Sequence, residues 1–157
     1  MNNVTKAYIA GFLDGDGSIM LQIKPRECCK YKYRVISTIC MYQHKSHEKA
    51  LKLIHRHLKL GYVSRRNDGM TEYRIDGHKR VAKVLNMLKQ YLLFKKEQTK
   101  YALEAIKLLQ KQSLSPKQFL EACKLCDKIS SFNYSVSRKY TSKTVRRAFK
   151  KQRLLSP

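Results

Sequence analysis

The sequence predicts an α+β fold in which one antiparallel-rich sheet is covered by helices on one face. Apolar residues recur every three or four positions up to residue 17, every second position after it, and alternate again over 70–76. Turn residues join the strands in pairs, and a helical pattern follows each pair. With 157 residues, 43% of them apolar, the chain is predicted to form one domain over 1–157. An αββαββα core spans about 5–111, and C-terminal helices with a basic loop and tail span about 115–157.

The first helix is predicted to begin after Thr5 as its N-cap. Small residues lie on one face of this helix at three- and four-residue spacing, and they suit close helix–helix contact within the chain or across a dimer: Ala7, Ala10, Gly11 and Asp14. Ile9, Phe12 and Leu13 would enter the core.

The paired strands are predicted over about 18–26 and 31–42, and again over 62–66 and 70–76, with turns at 28–30 and 67–69. Helices are predicted from the Ser46 cap to about 59, around 81–88, around 101–109, and from Ser115-Pro116 through 129. Residues 130–144 are polar, and 143–153 form a basic helix or tail.

Charge is the most informative bulk property. The 34 Lys and Arg exceed the 11 Asp and Glu, which gives a net charge of +23 and favours a phosphate-rich partner. An anionic membrane surface is a weaker alternative, since no long amphipathic helix with an aromatic face is evident. With no secretory pattern and no run of about 20 apolar residues, we expect a soluble intracellular protein without a membrane partner or a small-molecule substrate.

The solvent face of the predicted sheet is basic and polar. It carries six Lys or Arg against two acids, Glu72 and Asp76, whereas an ordinary solvated face mixes both signs. Arg, Lys and Gln are also the side chains that read bases in a major groove. Nucleic-acid contact is therefore favoured over plain solvation for Gln22, Lys24, Arg26, Lys32, Arg34, Tyr62, Arg66 and Arg74.

The cysteines and histidines give only weak evidence for a disulfide framework or a zinc site. The five cysteines are odd in number and do not suggest a disulfide framework. Cys123-x-x-Cys126 resembles half a zinc site without a second pair, and His44 and His47 lack a further ligand.

The segment Ile9–Gly17 reads Ile-Ala-Gly-Phe-Leu-Asp-Gly-Asp-Gly. By spacing alone it is either a helix end followed by a turn, or a pair of carboxylates placed to bind Mg²⁺ beside a phosphate-binding face. One chain supplies few such carboxylates, so a two-metal or shared-metal centre would need a second copy of the segment.

This segment resembles the signature helix of the LAGLIDADG homing endonucleases, specifically the single-motif homodimers of algal organellar introns. The resemblance extends through Gln22-Ile23-Lys24-Pro25, Gly61-Tyr62-Val63, the Lys95/Gln98 stretch, 115–120 and 141–146. It implies a saddle-shaped sheet and a homodimer that binds double-stranded DNA. It further implies Mg²⁺-dependent cleavage of a pseudo-palindromic site, with Mn²⁺ or other divalent ions substituting, and intron mobility in a chloroplast or another organelle. A maturase or regulator without cleavage is the alternative.

The resemblance also implies roles for individual residues. Asp16 would be the metal-binding catalytic carboxylate, with the Gly15 carbonyl facing the metal, Gln43 ordering water and Lys95 near the scissile phosphate. Asp14 would support the helix end, and His47 replaces a basic residue common in the family. Base-reading contacts are expected at Met20, Gln22, Lys24, Arg26, Cys28, Arg34, Tyr62, Ser64, Arg66, Glu72 and Arg74. Arg138 and Lys139, in the polar loop, are expected to contact the DNA backbone.

Overall fold

The computed structural model describes residues 1–133 and 138–155. Within them the chain forms the predicted αββαββα order followed by three more helices. The helices are α1 (Asn3–Asp16), α2 (Glu48–Leu58), α3 (His78–Leu88), α4 (Lys96–Leu109), α5 (Pro116–Ser131) and α6 (Ser142–Lys151). The strands are β1 (Gly17–Pro25), β2 (Tyr33–His44), β3 (Tyr62–Arg65) and β4 (Met70–Asp76).

The four strands form one antiparallel sheet in the order β1-β2-β4-β3. Period-two alternation places one set of side chains in the core, among them Ile19, Ile39, Tyr73 and Ile75, each 1% exposed or less. The helices pack on this apolar face, which leaves the other face of the sheet open.

Several predicted boundaries are wrong for local reasons. Asn2 rather than Thr5 caps α1, because its side-chain oxygen accepts from the Thr5 amide at 2.8 Å. Residues Lys45–His47 form a 3₁₀ turn, so α2 begins at Glu48 and Ser46 is not its cap. The predicted end of α2 at about residue 59 is confirmed, since Lys59, with φ 54°, is its C-cap.

Gly61 lies immediately before β3, where the backbone passes close to β4. It has a positive φ of 76°, and a Cβ there would collide with the Arg74 carbonyl oxygen. The predicted hairpin turn at 67–69 joins β3 to β4, and Ser115 caps α5 with a full capping box. Of the predicted polar stretch 130–144, residues 134–137 lie outside the described part.

The edge strand β1 is covered by side chains from the C-terminal part of the chain. Asn133 donates to the Ile19 carbonyl at 3.3 Å, and Arg138 donates to the Leu21 carbonyl at 2.8 Å. These contacts occupy edge acceptors that would otherwise be open to another strand. No helix in the described ranges is long and apolar enough to cross a membrane.

Candidate active site and nucleic-acid interface

The end of α1 presents one exposed carboxylate, Asp16. The chain turns there directly into β1. A Cβ on Gly17 would lie 2.5 Å from Leu13 Cδ1 and 2.7 Å from the Leu13 carbonyl oxygen, so only glycine permits this close turn. Because Gly17 pairs with Met41 in the β1–β2 ladder, Asp16 is brought beside the end of β2.

Gln43, near the end of β2, contacts this carboxylate. Its Nε2 donates to Asp16 Oδ2 at 2.6 Å, and its Oε1 lies 3.4 Å from His47 Nδ1. The structure thus brings together Asp16, Gln43 and His47 from three elements. A neutral amide leaves the carboxylate its negative charge, which suits a cation ligand.

Asp14 lies two residues earlier and faces the opposite way, into the protein. It is only 8% exposed, and its carboxylate accepts from the backbone amides of Leu93 at 2.6 Å, Phe94 at 3.3 Å and Lys95 at 3.0 Å. Asp14 therefore fixes the loop between α3 and α4, and not a metal.

Lys95 is delivered to the site by this loop. Its ammonium donates to the Asp14 carbonyl oxygen at 2.5 Å, which leaves two further N–H donors on the same group. Burial lowers the pKa of Lys95, while the nearby Asp14 and Asp16 act in the opposite direction. A cation is thereby fixed near the exposed carboxylate without pairing to it.

The exposed face of α1 differs from the predicted small-residue face. Ala10 has no accessible surface and Asp14 is buried, so their assignment to a dimer interface is wrong. Ala7 and Gly11 are exposed as predicted. The exposed stripe follows positions 4, 8, 11 and 15, and it includes Val4 at 78% and Tyr8 at 56% exposure.

Two further apolar side chains are exposed at the carboxyl end of α1. Leu93 is 72% exposed and Phe94 is 83% exposed, in the loop held by Asp14. The sequence did not single out either residue, because a short apolar run does not show which of its members are exposed.

The open face of the sheet carries most of the predicted DNA-contacting side chains. Exposed or half-buried positions alternate along β1 and β4, where they include Met20, Gln22, Lys24, Glu72 and Arg74. Arg34 on β2 is exposed, and so is Tyr62 on β3, while Ser64 is half-buried. Arg26 and Cys28 lie in the β1–β2 turn, where Arg26 Nε donates to Cys28 Sγ at 3.0 Å and lowers the pKa of that thiol. Lys32, also predicted on this face, lies in the same turn and pairs with Glu27.

Arg66 follows β3 and lies beside Tyr42, with its guanidinium carbon 5.5 Å from the ring centroid and an ion pair to Asp68 at 2.9 Å. A groove of about 980 Å³ runs from Asp16 along the edge of β1. Its lining includes Lys24, Lys95 and Lys139, so a polyanion could follow it to the carboxylate.

Comparison with known proteins agrees with this geometry. The family model described as LAGLIDADG endonuclease matches residues 9–108. This chain belongs to the LAGLIDADG endonuclease family. DNA endonuclease I-CreI of Chlamydomonas reinhardtii is 36% identical over 139 residues, covering 88% of this chain and 85% of that protein. DNA endonuclease I-CvuI of Chlorella vulgaris is 34% identical over 145 residues, covering 92% and 89%.

Solved LAGLIDADG structures share the fold. The crystal structure of I-CvuI with the I-CreI target in 2 mM Mg, in which the DNA is not cleaved, has a TM-score of 0.89 at 34% identity. It covers 94% of each chain. The archaeal intron-encoded endonuclease I-Vdi141I, complexed with DNA, has a TM-score of 0.85 at 22% identity, covering 97% and 98%, which shows the fold alone.

The LAGLIDADG carboxylate fits a metal ion of the Mg²⁺ type. Within residues 1–133 and 138–155 no group of three or more His, Cys, Asp or Glu could hold a metal. Mg²⁺ needs only one or two carboxylates when waters and substrate phosphate oxygens complete its shell. An exposed Asp16 with the adjacent Gly15 backbone suits such a shell.

Arg138 is held by contacts within the protein. Its guanidinium donates to the Cys126 carbonyl at 2.9 Å and the Leu21 carbonyl at 2.8 Å, and pairs with Asp127 at 3.3 Å. It thereby holds the C-terminal segment against β1, and because it also lines the groove, its contact with the DNA backbone stays a prediction. Lys139 is exposed beside the groove and remains a predicted contact.

Proposed function

We propose that this chain is a site-specific DNA endonuclease that works as a homodimer and hydrolyses one phosphodiester in each strand. The observation that carries the proposal is the single exposed carboxylate of Asp16 between a basic sheet and an exposed apolar helix stripe. One such carboxylate can bind a single Mg²⁺, but a two-metal or shared-metal centre needs a second one. The exposed stripe offers a surface on which a second copy of the chain could pack and supply it.

The proposed dimer buries the stripe of α1 together with Leu93 and Phe94. Large exposed apolar side chains in one continuous region are typical of a protein interface. In this arrangement the two α1 helices pack side by side and both Asp16 carboxylates meet at their ends. Each sheet then faces one half of a pseudo-palindromic site.

Each protomer contributes four groups to hydrolysis. The Asp16 carboxylate and the Gly15 carbonyl would hold the metal, Gln43 would orient water, and the Lys95 ammonium would stabilise the charge that develops on the scissile phosphate. A bound divalent ion, Mg²⁺ in our proposal, supplies activation of the attacking water and stabilisation of the leaving 3′ oxygen. Mn²⁺ and similar ions would substitute, since the ligands are oxygens.

The biological role that follows is intron homing, in which a double-strand break promotes movement of the intron that encodes the enzyme. An organellar location follows from the resemblance to single-motif enzymes of organellar introns. A maturase or regulator on the same scaffold remains the competing function, and it would not need Asp16.

Cleavage assays distinguish these functions. Purified protein would be incubated with the I-CreI and I-CvuI targets and with a pseudo-palindrome library, in Mg²⁺, Mn²⁺ or Ca²⁺. We expect cutting with Mg²⁺ by the wild type, and binding without cutting by Asp16→Asn. Absence of cutting under every divalent metal would reject the nuclease.

Assembly is tested separately by sedimentation at micromolar concentration. A protein that stays monomeric both alone and on DNA would rule out the shared active site.

A further inference from the structure

A closed polar cluster lies on the open face of the sheet around Arg74. Its Nε donates to Asp76 at 3.0 Å and its Nη1 donates to Glu72 at 3.0 Å. Arg74 is thus flanked by the two carboxylates that precede and follow it on the same face of β4. The guanidinium is held in one orientation by two charge-assisted contacts.

Two side chains of β2 fix the carboxylates in turn. The Thr38 hydroxyl donates to Asp76 Oδ1 at 2.6 Å, and the Cys40 thiol donates to Glu72 Oε1 at 3.2 Å. Thr38 lies directly opposite Asp76 in the β2–β4 ladder, and Cys40 lies opposite Arg74 and therefore diagonal to Glu72. Burial raises the pKa of Cys40 to about 12, so the thiol keeps its proton at neutral pH.

The same guanidinium retains free donors. Nη2 has no acceptor within residues 1–133 and 138–155, and Nη1 uses only one of its two hydrogens. Arg74 keeps 31% of its side chain exposed on the face proposed to meet DNA. Its Nη1/Nη2 edge can therefore donate outward while the carboxylates hold the rest of the group.

The opposite half of the face is built differently. Lys24 and Arg34 are both exposed and stand directly across the β1–β2 ladder, where like charges repel. Neither makes an ion pair in the described part of the chain. Unneutralised cations of this kind bind phosphate backbones with little regard to sequence.

The Arg74 cluster, in contrast, has two carboxylates for one guanidinium. A net negative cluster on a phosphate-binding face repels the DNA backbone, so it cannot serve general affinity. Its remaining feature is a fixed pair of donors, and guanine alone presents two acceptors, O6 and N7, that match such a pair in the major groove.

We infer that Arg74 reads a guanine at one position of each half-site, with Glu72, Asp76, Thr38 and Cys40 as positioning residues. Lys24 and Arg34 supply affinity, and the Arg74 cluster supplies selectivity. This inference rests on the proposed DNA-binding function and goes beyond it by assigning one base to one residue.

The test is selection of bound DNA from a library with randomised half-sites, performed in Ca²⁺ for wild type and variants. Arg74→Lys keeps the charge but replaces the rigid guanidinium fork, held by two carboxylates, with a flexible ammonium, so the guanine preference at one position should fall on the order of 5- to 150-fold. Its binding to random DNA should stay unchanged. Glu72→Gln should lose the same preference and bind random DNA more tightly, because a repulsive charge is gone.

Matched control variants distinguish the residue that contacts the base from the residues that position it. Thr38→Ser keeps the hydroxyl donor and should retain the preference, whereas Thr38→Val should weaken it at the same position only. Lys24→Ala should leave the guanine preference assigned to Arg74 unchanged and reduce the slope of log affinity against log salt by about one for each protomer.

The outcomes distinguish failure of the proposed function from failure of the inference about Arg74. A wild type that enriches no sequence rejects the proposed function itself. A wild type that enriches a site, with Arg74→Lys giving the same profile, overturns the inference alone. The inference is also overturned if Glu72→Gln shifts a cytosine preference that Arg74→Lys leaves intact, since the carboxylate would then be the reader. If Arg74→Lys does not fold, the inference is tested by Glu72→Gln and by the comparison of Thr38→Ser with Thr38→Val: an unchanged guanine preference in both Glu72→Gln and Thr38→Val would overturn it.

Discussion

Replacing Asp14 by Asn tests the separation of structural and catalytic roles within the Asp-Gly-Asp motif. The buried Asp14 carboxylate accepts three backbone N–H groups of residues 93–95. Asn retains one acceptor oxygen and turns an N–H donor toward at least one of them. A hydrogen bond to a charged group contributes about 1.5–3 kcal/mol. Losing one and weakening the others should therefore cost about 2–3 kcal/mol of unfolding free energy.

For a chain of this length, that cost corresponds to a fall in Tm of about 4–12 °C. Asp16→Asn is the matched control, because Asp16 is exposed and its change should stay within about 0.5 kcal/mol. Thermal unfolding followed by circular dichroism, at one fixed protein concentration, measures both. Equal Tm values for Asp14→Asn and wild type would refute the argument, as would a large loss in Asp16→Asn. Asp14→Asn should also slow cleavage below its Tm, because Lys95 lies on the released loop.

Three further predictions concern assembly, pH and thiol chemistry. Gly11→Ala should stabilise the protomer by about 0.5–1 kcal/mol, since its Cβ meets nothing within 4 Å. It should also weaken the dimer in sedimentation equilibrium, and an unchanged dimer Kd would exclude α1 as the interface. Arg65 holds the pKa of Glu48 at about 2, so the Tm advantage of wild type over Glu48→Gln should be full above pH 4.5 and vanish toward pH 2. Iodoacetamide should label Cys28 faster than Cys126, whose pKa burial raises to about 12, and bound target DNA should protect Cys28; equal labelling with and without DNA would place it outside the interface.

The sheet could be predicted in detail because strand alternation is a local signal. Residues 70–76 alternate strictly, and the structure gives β4 those bounds with every second side chain buried. The turn at 67–69 and the capping pair at 115–116 are equally local. Such elements depend on neighbours within a few positions, so a single sequence contains the information.

The contacts that the sequence did not predict are between residues far apart in the chain. Asp14 binds residues about 80 positions away, and Arg138 reaches carbonyls 12 and 117 positions away. No spacing rule relates these partners. Periodicity groups Ala7, Ala10 and Gly11 on one side of α1, but it does not say which part of that side another element covers. The exposed stripe is rotated around the helix axis by a fraction of a turn from the predicted small-residue face, and Ala10 is buried in the core.

Asp16 differs from most other carboxylates of this protein in having no ion-pair partner in the described part of the chain. On a chain of net charge +23, the carboxylates in the described part of the chain are mostly occupied: Glu48 holds Arg65, and Glu72 holds Arg74. Asp16 has a neutral amide as its hydrogen-bond partner, and the nearby Lys95 ammonium donates to a backbone carbonyl instead. An exposed carboxylate kept free of cations amid so many lysines and arginines retains its charge for another ligand. A divalent cation would neutralise this carboxylate, and in the proposed dimer the second Asp16 would supply the further carboxylate that a shared centre needs.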